Sequence, residues 1–196
     1  SKHPPFIVIN STGDAPDLLP GDGIADAGNG EVTLRAAIQE ANALAGNQIV
    51  YFYIPGSPPY IIQPGTALPS ITEQVYLDGT MQAGYNDSPV VQINGTFGSL
   101  TVTGGNSTIQ GLSINKSTGY SLTLSNYGTN TIRENEIAGV FVDSPNNNIY
   151  NNSFTSVILK TTCIKIKRCV YHSTWTIRID NIISTFCIYI VTTSTT

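Results

Sequence analysis

Four aspartates, Asp14, Asp17, Asp22 and Asp26, fall within one Pro- and Gly-rich polar loop. Carboxylate oxygens at that density, with nearby backbone carbonyls, are the hard ligands that Ca²⁺ takes six to eight at a time. They form one candidate metal site. The alternative is that aspartate simply suits turns and pairs with Arg35. A second polar set follows later in the chain: Arg133, Glu134, Glu136 and Asp143, with Asp78 upstream. Two carboxylates at a defined separation would serve glycoside hydrolysis, but Arg133 and Glu134 are adjacent and can pair on a solvated turn. Neither His3 nor His172 lies in this stretch to act as a base. A paired-Asp motif with Gly-His-Gly is missing, so the sequence argues against catalysis more than for it. Tyr120, Tyr127 and Tyr150 fall at turn positions, where they could stack on sugar rings or cover an edge.

The elements that must position these groups follow from spacing. Leu100-x-Val102 leads to Ile109 and Leu112-x-Ile114. Leu122-x-Leu124 leads to Ile132 and Asn135-x-Ile137, and Val140-x-Val142 to Ile149 and Asn152-x-Phe154. A short strand pair thus returns after 22 to 23 residues and again after 17 to 18. Such self-similarity marks a repeat architecture, and period-two alternation broken by Asn, Gly and Ser makes its units β-strands. The expectation is an all-β, right-handed single-stranded parallel β-helix, a solenoid with a short N-terminal capping α-helix. Equivalent residues would stack in columns: Ile109, Ile132 and Ile149; Leu100, Leu122 and Val140; Val102, Leu124 and Val142. Asn135 and Asn152 occupy matching turn positions, a column that Leu112 breaks.

Residues 1–48 are expected to form an N-terminal cap, with a strand at Phe6–Ile9, the Asp-rich loop and a helix over 33–45. Thr33 is its N-cap and Gly46 its stop. Residues 49–156 carry the coils. Residues 157–196 are either degenerate coils, with Val157, Leu159 and Ile166 in step, or an atypical and poorly packed tail beyond about 170.

Only 11% of residues are charged. Residues 1–156 hold four Lys/Arg against twelve Asp/Glu, whereas 157–196 hold five against Asp180 alone. An acidic body argues against nucleic acid, whose phosphates require Lys and Arg. No apolar stretch is long enough to span a bilayer as a helix, and no signal peptide is visible in this chain. Cys163, Cys169 and Cys187 are odd in number and lack metal-ligand spacing.

The pattern Phe6-x-Val8-x-Asn10-Ser11-Thr12-x-Asp14, then Asp17, Pro20-Gly21-Asp22-Gly23 and Thr33-Leu34-Arg35-Ala36-Ala37-Ile38-Gln39-Glu40-Ala41-Asn42-Ala43, resembles the CSLREA domain of exported bacterial β-helix proteins. Val75-x-Leu77-Asp78-Gly79-Thr80 is similar to the first coil of that family. Two cysteines common in the family would fall at Ala25 and Val32 and are absent here, so Ca²⁺ could serve as the staple instead. The resemblance implies a bacterial extracellular or cell-surface protein. The expected role is non-catalytic adhesion or contact with a polysaccharide or host glycan. The alternative is a truncated carbohydrate-active enzyme of lyase, hydrolase or epimerase type.

Overall fold

A computed structural model describes residues 6–160, 165–179 and 189–192. Among the described residues, fifteen strands and one helix succeed one another: β1 (Phe6–Ile9), α1 (Leu34–Ala43), β2 (Gln48–Phe52), β3 (Tyr60–Ile62), β4 (Val75–Asp78), β5 (Val91–Gly95), β6 (Leu100–Val102) and β7 (Thr108–Gln110). After them come β8 (Leu112–Lys116), β9 (Leu122–Ser125), β10 (Thr131–Arg133), β11 (Glu136–Asp143), β12 (Asn148–Tyr150), β13 (Ser153–Leu159), β14 (Lys165–Ile179) and β15 (Tyr189–Thr192).

The strands assemble into two parallel sheets. In the first, β1, β2, β4, β7, β10, β12 and β14 are neighbours in that order, and β15 pairs with β14. In the second, β3, β5, β8, β11, β13 and β14 follow one another, with β6 joined through β9 to β11. The long β14 belongs to both. This corrects the expectation of an all-β, right-handed single-stranded β-helix solenoid. The chain has an α/β-type arrangement of two parallel sheets with a helix. Spacing reports which residues stack, but not how many sheets the strands build or whether a helix shares their core. Leu34, Ala37, Ile38 and Ala41 of α1 belong to the same buried cluster as the strand residues.

The stacking itself follows the spacing. Ile109, Ile132, Ile149 and Ile166 are register partners through β7, β10, β12 and β14. Leu100, Leu122, Val140 and Val157 form a second column, and Val102, Leu124, Val142 and Leu159 a third. All are buried. Each contributes roughly 1.5–3 kcal/mol by leaving water, and none could be covered without the strands on either side. Val157, Leu159 and Ile166 thus continue the ladders. The expectation of poor packing beyond about 170 falls mostly outside the described residues, as do Cys163, Cys187 and His3. Cys169 is a buried free thiol.

Helix α1 begins where Thr33 caps it: the Thr33 hydroxyl accepts from Ala36 N at 3.0 Å and donates to the Ala15 carbonyl at 2.6 Å. It ends at Ala43 rather than at 45, and Gly46 takes its left-handed φ of 92° in the following turn. No helix among the described residues is long and apolar enough to cross a membrane.

Candidate functional site

The four loop aspartates do not converge. Asp14 takes Arg35 Nε at 3.0 Å on Oδ1 and Nη2 at 2.9 Å on Oδ2, and accepts Gly65 N at 2.8 Å. Asp17 Oδ1 accepts Leu19 N, Asp22 Oδ1 accepts Ile24 N and Asp26 Oδ1 accepts Gly28 N, each two residues on. These are turn-forming bonds of the kind aspartate makes to its own backbone. No group of three or more His, Cys, Asp or Glu gathers to hold a metal among the described residues. The donor set therefore does not fit Ca²⁺.

The loop is held instead by Arg35. Its guanidinium also donates to the Thr66 and Ala67 carbonyls at 2.9 and 3.0 Å, so one side chain ties α1, the Asp14 segment and the 64–67 turn together. The ion pair is largely shielded, with side-chain exposures of 11% and 24%. Arg35→Met keeps the stem and removes the fork. It is expected to cost about 2 kcal/mol, less than the range for fully buried pairs, measured as a fall in the urea midpoint without a change in slope.

The three tyrosines are also kept apart. Tyr120 and Tyr127 lie on either side of β9 in the second sheet, whereas Tyr150 ends β12 in the first. Tyr120 stacks on Phe141 at 5.0 Å between centroids, and Lys160 Nζ lies 5.4 Å from the same ring. Tyr127 is exposed. Tyr150 sits beside Arg133 in register. None of the three lines the cleft described next.

That cleft has a volume of about 430 Å³ and is walled by three segments. Tyr85 and Asp87 come from the loop between β4 and β5. Glu134 and Glu136 come from the turn between β10 and β11 and the first residue of β11. Asn151 and Ser153 hold the same two places between β12 and β13. The backbone bends at left-handed residues: φ is 68° at Gly111, 59° at Glu134 and 54° at Asn151. Glycine and asparagine adopt this conformation readily, and glutamate does so rarely.

Beneath these bends runs a ladder of buried amides. Leu112 N donates to Asn135 Oδ1 at 3.0 Å, and Asn135 N donates to Asn152 Oδ1 at 3.0 Å. Asn135 Nδ2 reaches the Ile109 carbonyl and Asn152 Nδ2 the Ile132 carbonyl, at 2.9 and 2.8 Å. Each corner is thereby locked to its neighbours, and the residues above it are set in a row.

Arg133 pairs with Glu134 at 2.9 Å and donates to Tyr76 Oη at 3.3 Å. Burial opposes its charge, but Glu134, Tyr150 and Tyr76 outweigh burial and hold its pKa up. The Tyr85 phenol is pushed up by burial and by the charges of Glu134, Asp87 and Asp78, with Arg133 opposing. With Asp87, Glu134 and Glu136 in its lining, the cleft is weighted toward negative charge. Of the other carboxylates named from sequence, Asp78 is spent on Thr80 N and Oγ1 at 2.8 and 2.7 Å. Asp143 lies at the far end of β11 from Glu136.

Tyr85, Asp87, Asn151 and Ser153 were not marked by sequence reasoning. For Asn151 and Ser153 the signal was the repeat itself: the asparagine ladder steps by 23 and then 17 residues, and a left-handed bend precedes each amide. No family model matches the sequence, and no curated protein or solved structure matches it either.

Proposed function

We propose that the chain is an exported, extracellular or cell-surface scaffold that contacts carbohydrate through the cleft between Tyr85 and Asn151, without turning it over. The observation that carries this reading is one concave site combining a tyrosine ring, three carboxylates and amide and hydroxyl side chains. Sugars offer hydroxyls that such acceptors take and C–H faces that lie on aromatic rings, and a cavity of this size falls in the range of ligand sites. The surface location is supported by the likeness of residues 6–43 to the CSLREA domain and by a weakly charged, Asn/Ser/Thr-rich composition. The glutamate bend adds to it: strained backbone held at a cleft is a frequent companion of function.

Titration calorimetry with chitohexaose and cellohexaose is the test. Tyr85→Ala and Glu134→Gly are each expected to weaken binding about tenfold, or ~1.4 kcal/mol. Glu134→Gly also removes a left-handed glutamate at the cost of a half-buried ion pair worth about 1 kcal/mol. Its melting temperature should equal the wild type or exceed it by about 2–4 °C. Absence of binding by every oligosaccharide tried would sink the reading. The enzyme alternative draws on Glu134 and Glu136 sharing the cleft. Steady shortening of the hexaoses that stops in Glu134→Gln or Glu136→Gln would replace the scaffold reading with it.

A further inference from the structure

We infer that the cleft is one half of a longer groove, and that its ligand is a linear polysaccharide without acidic sugars lying across both halves. This rests on the carbohydrate reading above. A second hollow of about 630 Å³ lies on the outer face of the second sheet, and Glu136 and Ser153 wall both cavities. The register explains the continuity. Glu136 of β11 pairs with Ser113 of β8 on one side and Ser153 of β13 on the other, which places the three in a row across the strands. Neighbouring strands are about 4.8 Å apart, so the row offers hydrogen-bonding groups at short, regular intervals.

Between them the inward residues Ile114, Ile137 and Phe154 are buried, while Asn115 and Thr155 are exposed. The outward side chains of the second hollow are mostly short, which leaves a shallow trough open along the sheet rather than a closed pocket. A chain of linked sugars fits a trough that a compact ligand would leave half empty. Charge narrows the class. Asp87, Glu134 and Glu136 line the first hollow, and Glu136 reappears in the second. Arg133, the cation next to Glu134 in sequence, is already paired with it. A polyuronate would bring more negative charge into that field, whereas a neutral or amino sugar chain would not.

Filling two connected subsites with one chain makes the second contact intramolecular, so affinity should rise with length. Calorimetry with a chito-oligosaccharide series from disaccharide to hexasaccharide should show a gain of about tenfold or more. In Asn115→Trp and in Thr155→Trp, both at exposed positions, hexasaccharide affinity should fall to that of the wild-type disaccharide. Circular dichroism melts would confirm that each variant is folded. Hexagalacturonate should bind at least about tenfold more weakly than the neutral chain, a difference of ~1.4 kcal/mol.

Equal affinity for disaccharide and hexasaccharide, or unchanged hexasaccharide binding in both tryptophan variants, overturns the continuous groove and leaves the cleft reading standing. Tighter binding of hexagalacturonate overturns the ligand class. Failure of every oligosaccharide to bind removes the carbohydrate reading itself.

Discussion

Asn135→Leu is expected to destabilise the fold by about 4 kcal/mol, seen as a lower urea midpoint and a melting temperature reduced by roughly 8–16 °C. The side chain is buried, and every polar atom of it is used. Oδ1 serves Leu112 N, while Nδ2 serves the Ile109 carbonyl and Asn152 Oδ1. Leucine would fill the space but strip Leu112 N of its acceptor, at about 1–3 kcal/mol, and remove one donor from the Ile109 carbonyl and from Asn152 Oδ1. The chain contains its own control for volume. Leu112 occupies the equivalent corner one step earlier and is fully buried there, but its N–H is served by Asn135. Leucine is therefore acceptable at the start of the ladder and costly within it. A loss below about 1 kcal/mol would mean that water reaches the freed groups, and that the bends of the cleft are not locked by the amides beneath them.

How far the molecule could be read in advance depended on the range of the interaction. Ile109, Ile132 and Ile149 were paired correctly because alternation and repeat length report the inward face and its partners directly. Thr33 as N-cap was legible for the same local reason, since a side-chain oxygen at a helix start has few other uses; Arg35 was legible as a partner for the loop aspartates, but not which one it takes. The class was not legible. Period-two alternation is the same whether strands wind as one coil or build two sheets, and the helix that joins the core gives no sign in the repeats.

The site was half visible. Glu134 and Glu136 stood out as charges in a neutral stretch, but nothing in the order of residues places the 85–89 loop against them. The four aspartates left a metal site and turns with an Arg35 pair both open, because density along the chain does not fix density in space. Each accepts a bond within its own turn, or in Asp14's case from Arg35, although Asp17 Oδ2 has no donor among the described residues.

Glu40→Ala is the second substitution with a large expected effect, about 3 kcal/mol or more. Glu40 is fully buried on α1, where its carboxylate accepts from Gly21 N and from Gly23 N, the latter at 2.5 Å. These charge-assisted bonds fasten the loop that carries the exposed Leu18, Leu19 and Ile24, so the variant should also become cleavable by protease within residues 17–24. Asp17 lies beside Glu40. Burial first, and the Glu40 charge next, raise its pKa above the ordinary value of 3.8, while its Oδ2 has no donor among the described residues. A carboxyl whose pKa is raised on folding binds its proton more tightly in the folded state. Its contribution is then full below the ordinary aspartate value and is lost as pH rises through the folded one.

Asp17→Asn holds the equivalent of the protonated form at every pH. It keeps an oxygen for Leu19 N and presents an amide N–H where the acid would present its proton. Its melting temperature should exceed that of the wild type at pH 7–8, and the gap should close as pH falls toward about 4. A gap that stays constant with pH, or an asparagine variant less stable throughout, would show that Asp17 is ionised in the folded protein and that the repulsion from Glu40 is relieved some other way.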